Sequence, residues 1–114
     1  MTKQDPNDRG DLLRGALEML ILRTLLAGPL HGYAISDAIL SSSGDILEVE
    51  EGSLYPALYR MQRRGWIEAT WGRSENNRRA KYYTLSPEGR RQFEFARARW
   101  SRFSTAVNRV VEPA

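Results

Sequence analysis

Between Glu51 and Arg91 the chain reads EGSLYPALYRMQRRGWIEATWGRSENNRRAKYYTLSPEGRR, and the order of patterns in it leaves few folds open. Ser53 can cap the free N–H groups of a helix, and Pro56 is tolerated in its first turn. Leu54, Leu58 and Met61 then share one helical face until Gly65 ends the run. Trp66–Trp71 and Lys81–Leu85 alternate and are rich in aromatic and β-branched residues, which predicts two strands. The stretch between them, Gly72–Ala80, has no large apolar side chain and reads as a hairpin tip in solvent. Ser86 as cap, Pro87 at the first helical position and Glu88 in the first turn start another helix. This order is the back half of a winged helix-turn-helix.

The first half of the chain supplies the other helices. Residues 1–10 carry no apolar period and read as a disordered arm. From Leu12 onward, Leu13, Ala16, Leu17, Leu20, Ile21, Thr24 and Leu25 follow helical spacing, and Gly28-Pro29 stops the helix. A second helix is expected over Leu30–Ser41, with His31 near its start and Tyr33 packed between the first two helices, both in structural roles. Ser41–Asp45 has turn chemistry, and Ile46–Val49 is either a short strand or an extended connector. The expected class is mainly α with some β (α+β). A winged helix-turn-helix DNA-binding domain spans residues 11–85, and a long C-terminal dimerisation helix spans 86–114.

Along that last helix Phe93, Ala96, Trp100, Phe103, Val107 and Val110 repeat at intervals of 3, 4, 3, 4 and 3 residues. This is the seam that two helices use to pack side by side. Folding back onto its own domain would also bury such a seam. It runs on well past the compact winged unit, however, so a second copy of the chain is the simplest apolar partner. Trp100 has a further reading, since its face can stack on a planar aromatic molecule; packing alone is the plainer one.

Composition argues against chemistry. The 114 residues make one domain and include no Cys and one His, so thiolate metal sites, a Cys nucleophile and a His pair are excluded. Ser53 has no His partner, and no phosphate-cradling glycine pattern occurs. No catalytic residue, metal or cofactor is therefore expected, and the protein reads as a binder rather than an enzyme. Arg14, Glu18 and Arg23 break the apolar run from Leu12 to Leu30, so no membrane span is expected. The N-terminal MTKQDPNDRGD is polar with no sign of a secretory leader, and the expected location is cytoplasmic.

Charge supplies the candidate partner. Residues 1–51 sum to −5 and residues 52–114 to +8, a separation suited to a polyanion. On the helix starting at Ser53, the N-terminal Ser53 and Tyr55, with Tyr59 and Arg60 a turn later, stand where recognition helices meet DNA. Ser53 can equally be a plain cap and Tyr55 a core aromatic. Arg60 and Arg63 repel within one short helix unless something negative neutralises them. In the hairpin tip Arg73, Arg78, Arg79 and Lys81 are opposed only by Glu75. They read as a wing for phosphate or the minor groove, against the alternative of a solubilising loop.

Four segments together resemble the PadR family of bacterial transcriptional regulators: LRGALEMLILRTLL, GPLHGYAI, EEGSLYPALYRMQRRGWIE and RRAKYYTLSPEGRRQF. The resemblance spans roughly Leu12 to Phe103, and GSLYPAL followed by KYYTLSPEG is its most specific part. It implies the short form of the family, a homodimer built on the single C-terminal helix. It also implies a sequence-specific regulator, by family default a repressor, on a pseudo-palindromic operator. Ser53, Tyr55, Pro56, Tyr59 and Arg60 would enter the major groove, with the basic wing on backbone or minor groove. Some short members resemble sensors of drugs or phenolic compounds, and Trp100 falls where their cavity aromatic would lie, which implies release by a small aromatic ligand. The alternative function is a winged-helix interaction module whose basic face binds an acidic protein or RNA.

Overall fold

The computed structural model describes residues 6–113. Its elements are α1 (Pro6–Leu25), β1 (Leu30–His31), α2 (Gly32–Ser42), α3 (Glu51–Arg63), β2 (Ile67–Arg73), β3 (Arg79–Leu85) and α4 (Pro87–Val111). The three strands form one antiparallel sheet in the order β1-β3-β2. Helix α1 starts at Pro6, earlier than the Leu12 at which apolar periodicity begins. Proline suits a first helical position because its φ is already helical and its missing N–H is not needed there. Periodicity marks only the part of a helix that meets a core. Residues 6–10 of the expected disordered arm are thus helical, and residues 1–5 lie outside the described residues.

Leu30 and His31 are strand, not the first turn of the second helix. They pair with Tyr83 and Tyr82 of β3, and α2 starts only at Gly32. His31 is the N-cap: its Nδ1 accepts the Ala34 N–H at 3.2 Å, which matches the structural role read for it. Ile46–Val49 is a connector rather than a strand, and it buries Val49. Helix α3 begins at Glu51, so Ser53 is not its cap. Glu50 occupies the cap position with no side-chain hydrogen bond, and its carbonyl accepts the Ser53 N–H at 3.0 Å. The other end of α3 closes as the composition predicts. Gly65, at φ +78°, lets its own N–H reach the Gln62 carbonyl and the Trp66 N–H reach Met61, both at 3.0 Å.

One apolar cluster joins these elements. Leu54, Ala57, Leu58 and Met61 of α3 are buried with Leu17, Ile21, Leu22 and Leu25 of α1 and with Ile35 and Ile39 of α2. Ile67, Tyr83 and Phe93 add the sheet and α4 to the same core. The position of α3 is therefore set by its apolar face, and its other face is free for function.

Helix α4 is clamped where it leaves the sheet. The Ser86 hydroxyl accepts the Gly89 N–H at 3.0 Å and donates to the Gly65 carbonyl at 2.6 Å, so one side chain ties the start of α4 to the end of α3. Gly89 packs so closely on β3 and on Trp66, just before β2, that an added Cβ would run into the Trp66 carbonyl and come within 2.9 Å of Leu85 Cδ1. Backbone cannot step aside as a flexible side chain can. Gly89→Ala is expected to cost about 1–3 kcal/mol and to lower the melting temperature by about 5–20 °C. An unchanged thermal melt would mean that α4 is not held against the sheet in this way.

Candidate nucleic-acid interface

Helical geometry sorts the exposed residues of α3 into sides. Opposite the buried Leu54–Met61 stripe stand Gly52, Pro56, Tyr59 and Arg63, spaced like any single helical face. Tyr55 and Gln62 flank this line on one side, and Ser53, Arg60 and Arg64 on the other. All are exposed, so the residues expected to meet DNA are accessible but do not share one side. Tyr55 is neither a core aromatic nor free. Its ring lies over Gly32, where any Cβ would collide with the phenol, and it stays 44% exposed.

The charges on α3 divide in the same way. Arg60 Nε lies 3.3 Å from Glu18 Oε2 and Arg64 Nη1 lies 3.2 Å from Glu18 Oε1. The sequence around Arg60 shows no acidic partner, because the partner is on α1. Arg60 is thus committed to its own fold more than expected. Arg63 instead turns to Tyr59, with its guanidinium 5.8 Å from the ring centroid and Nη1 3.4 Å from the hydroxyl.

The wing is longer and its tip shorter than the pattern suggests. Gly72 and Arg73 belong to β2 and Arg79 and Ala80 to β3, leaving Ser74–Arg78 as the turn. Neither Gly nor Arg is a strong strand former, so local propensity misses these rungs. The turn itself imposes them: Asn77 takes φ +58° and donates to the Ser74 carbonyl at 2.8 Å, while the Ser74 N–H reaches Arg78 O at 2.8 Å. Trp71 pairs with Lys81 and Arg73 with Arg79, so these four side chains share one sheet face. Arg79 lies over the Trp71 ring at 4.3 Å, and Arg73 donates to Asn77 O at 3.2 Å. Like charges on directly paired residues repel. Arg63, Arg73, Arg78, Arg79 and Lys81 make no ion pair with any described residue.

A groove of about 450 Å³ runs between the wing and the start of α2, lined by Tyr33, Tyr55, Trp71, Arg79 and Lys81 among others. Tyr33 is 72% exposed, not packed between the first two helices as read from the sequence. The inward positions of α2 are Gly32, Ile35 and Ile39, and Tyr33 points the other way. On its far side a second groove is edged by Asp37, Glu48, Glu50 and Glu51. Tyr33 therefore marks a boundary between positive and negative surface. At the base of the first groove, burial, and secondarily the nearby Tyr55, push the Tyr83 phenol above its ordinary pKa, so its hydroxyl stays protonated and neutral.

The profile of the transcriptional regulator PadR-like family matches residues 21–95, which takes in all of this surface except the earlier part of α1. The chain belongs to the PadR-like family of transcriptional regulators. A PadR-like regulator of Bacillus cereus is 33% identical in sequence, with a TM-score of 0.77 over 91% of this chain and 99% of that one. A transcriptional regulator of Clostridium thermocellum is 29% identical, with a TM-score of 0.81 over 90% and 99%. An uncharacterized protein of Lysinibacillus sphaericus is 27% identical over 104 residues, 91% of this chain and 95% of its own. The PadR assignment makes the winged helix a regulator's DNA-binding fold and not an enzyme. Among the described residues no helix is long and apolar enough to cross a membrane.

In this PadR chain α4 carries apolar side chains well past the point where it leaves the core. Phe93 is 6% exposed and belongs to the core of its own chain, and Ala96 is half-buried. Phe93 therefore packs mainly within its own chain. From Trp100 on, the seam is open: Trp100, Phe103, Val107 and Val110 are exposed at 51, 63, 39 and 82%. The helix does not fold back to cover them. Trp100 and Phe103 lean together, ring centroids 6.3 Å apart.

Proposed function

We propose that this PadR-like regulator binds a pseudo-palindromic operator as a homodimer, with α3 in the major groove and the β2–β3 wing on the backbone or minor groove. The observation that carries the reading is the sorting of charge. The cations on the wing and on the outward line of α3 lack carboxylate partners, whereas Arg60 and Arg64 share one, Glu18. Uncompensated guanidinium groups side by side are stabilised by phosphates. Ser53, Tyr55, Pro56, Tyr59, Arg60 and Arg63 are the candidate contacts on α3, with Arg63 and Tyr59 best placed. Arg73, Arg78, Arg79 and Lys81 serve on the wing.

The exposed seam Trp100, Phe103, Val107 and Val110 pairs two copies, setting their recognition helices about 34 Å apart, one turn of B-DNA. Binding represses transcription in the cytoplasm, and a planar aromatic effector held at Trp100 between the two α4 helices releases the operator. Such a ligand regulates only if it prefers one spacing of the recognition helices over another. Fluorescence anisotropy at physiological salt tests the core of the reading, using the best duplex recovered from a random-sequence selection and a scrambled duplex of equal length. A preference of about 10³ or more is expected. Equal, salt-sensitive binding to both would sink sequence-specific regulation and favour an acidic protein or RNA as the partner.

A further inference from the structure

Gly52 sits in the first turn of α3, in the middle of the outward face. Glycine inside a helix destabilises it relative to alanine because it gives up the most backbone freedom on folding. A helical glycine therefore calls for a reason, and the neighbouring glycines show what ordinary reasons look like. Gly28, Gly44 and Gly65 take φ values of +140°, +70° and +78°, where an L side chain is strained. Gly32 and Gly89 are helical, but a Cβ on the first would run into Tyr55 and on the second into the Trp66 carbonyl. Gly52 has neither excuse. Its φ is not positive, and a Cβ built on it meets no atom within 4 Å.

The space it leaves open faces outward. Gly52 and Pro56 are the outward positions of the first two turns, so the N-terminal half of that face presents almost no side chain. Long side chains on the same line begin only with Tyr59 and Arg63. Recognition helices approach base edges with their N-terminal residues, and how near the helix axis comes depends on the bulk between.

We propose that Gly52 is the point of closest approach between α3 and the base edges, and that its missing side chain sets how deeply the helix seats. This rests on the DNA-binding reading above. A Cβ there would lift the N-terminal half of α3 away from the bases while leaving the wing cations their phosphates. Base-edge contacts carry specificity and phosphate contacts carry general affinity, so a Cβ should erode the first more than the second.

The test turns on two opposite signs in one variant. Gly52→Ala is expected to raise the melting temperature by a few degrees and yet to weaken binding to the selected duplex about tenfold or more. Gly52→Val should weaken it further. Affinity for the scrambled duplex, and the salt dependence of both, should change little. Undiminished binding of Gly52→Ala to the selected duplex would overturn the proposal. So would a fall in its melting temperature, since the glycine would then serve the fold. If the unsubstituted protein itself prefers no duplex, the DNA-binding reading fails and this inference with it, an outcome distinct from the other two.

Discussion

Aspartate at both Trp100 and Phe103 will convert the protein to a monomer and weaken its hold on a full palindromic operator about 10³-fold, leaving affinity for an isolated half-site nearly unchanged. Neither residue touches the core: Trp100 is 51% and Phe103 63% exposed, and they lean on each other. The fold of one chain therefore tolerates the change. A dimer seam does not, because two carboxylates from each copy would be buried there without partners. Loss of the dimer costs DNA affinity through geometry rather than contacts. Once one half-site is bound, a dimer offers the second recognition helix at an effective concentration in the millimolar range, whereas a monomer must bind again from solution. Sedimentation equilibrium and anisotropy on full and half operators measure both effects together. A variant that stays dimeric, or one that loses half-site binding equally, would remove α4 from the interface. In the unsubstituted protein the melting temperature should rise with concentration, as it does when association stabilises the fold.

Replacing Arg73, Arg78, Arg79 and Lys81 together by alanine has the second large effect, of a different kind. Each phosphate neutralised releases counterions worth about 0.9 in the slope of log K against log salt. If each of the four meets one phosphate, the slope should fall by about 3 to 4. At physiological salt the affinity should drop about 10²-fold or more. Selected and scrambled duplexes should suffer alike, because backbone contacts carry no sequence information. Arg64→Ala is the internal control. Its guanidinium lies 3.2 Å from Glu18 and it is not among the candidate contacts, so its removal should change the slope by much less than one. An unchanged slope in the fourfold variant would show that the wing does not touch DNA.

Much of this regulator is legible in the chain itself. Ser86, Pro87 and Glu88 announce α4, Gly65 ends α3, and the alternation around Ala69 and Tyr83 marks the hairpin. Each of these signals acts through neighbours only a few residues away, so each survives without knowledge of the fold. The misplacements share the opposite cause. Leu30 and His31 look helical until β3 offers them a ladder, and Ser53 resembles a cap although the helix has already begun at Glu51. Arg73 and Arg79 look like loop residues until the turn at Asn77 locks them into the last rung.

The candidate site divides along the same line. Chain order alone identified which cations exist, that they follow a helix and flank a hairpin, and that an apolar seam runs down the last helix. Those are properties of spacing, and spacing is written in one dimension. Which cations are free was decided only in three dimensions. Glu18 is 42 residues from Arg60 in sequence and 3.3 Å away in space, because the buried faces of α1 and α3 pack together. That packing also withdrew Phe93 into the core, turned Tyr33 outward between a basic and an acidic groove, and left Gly52 with empty space above it. Exposure and charge neutralisation depend on what lies opposite a side chain, and only the folded core settles what lies opposite.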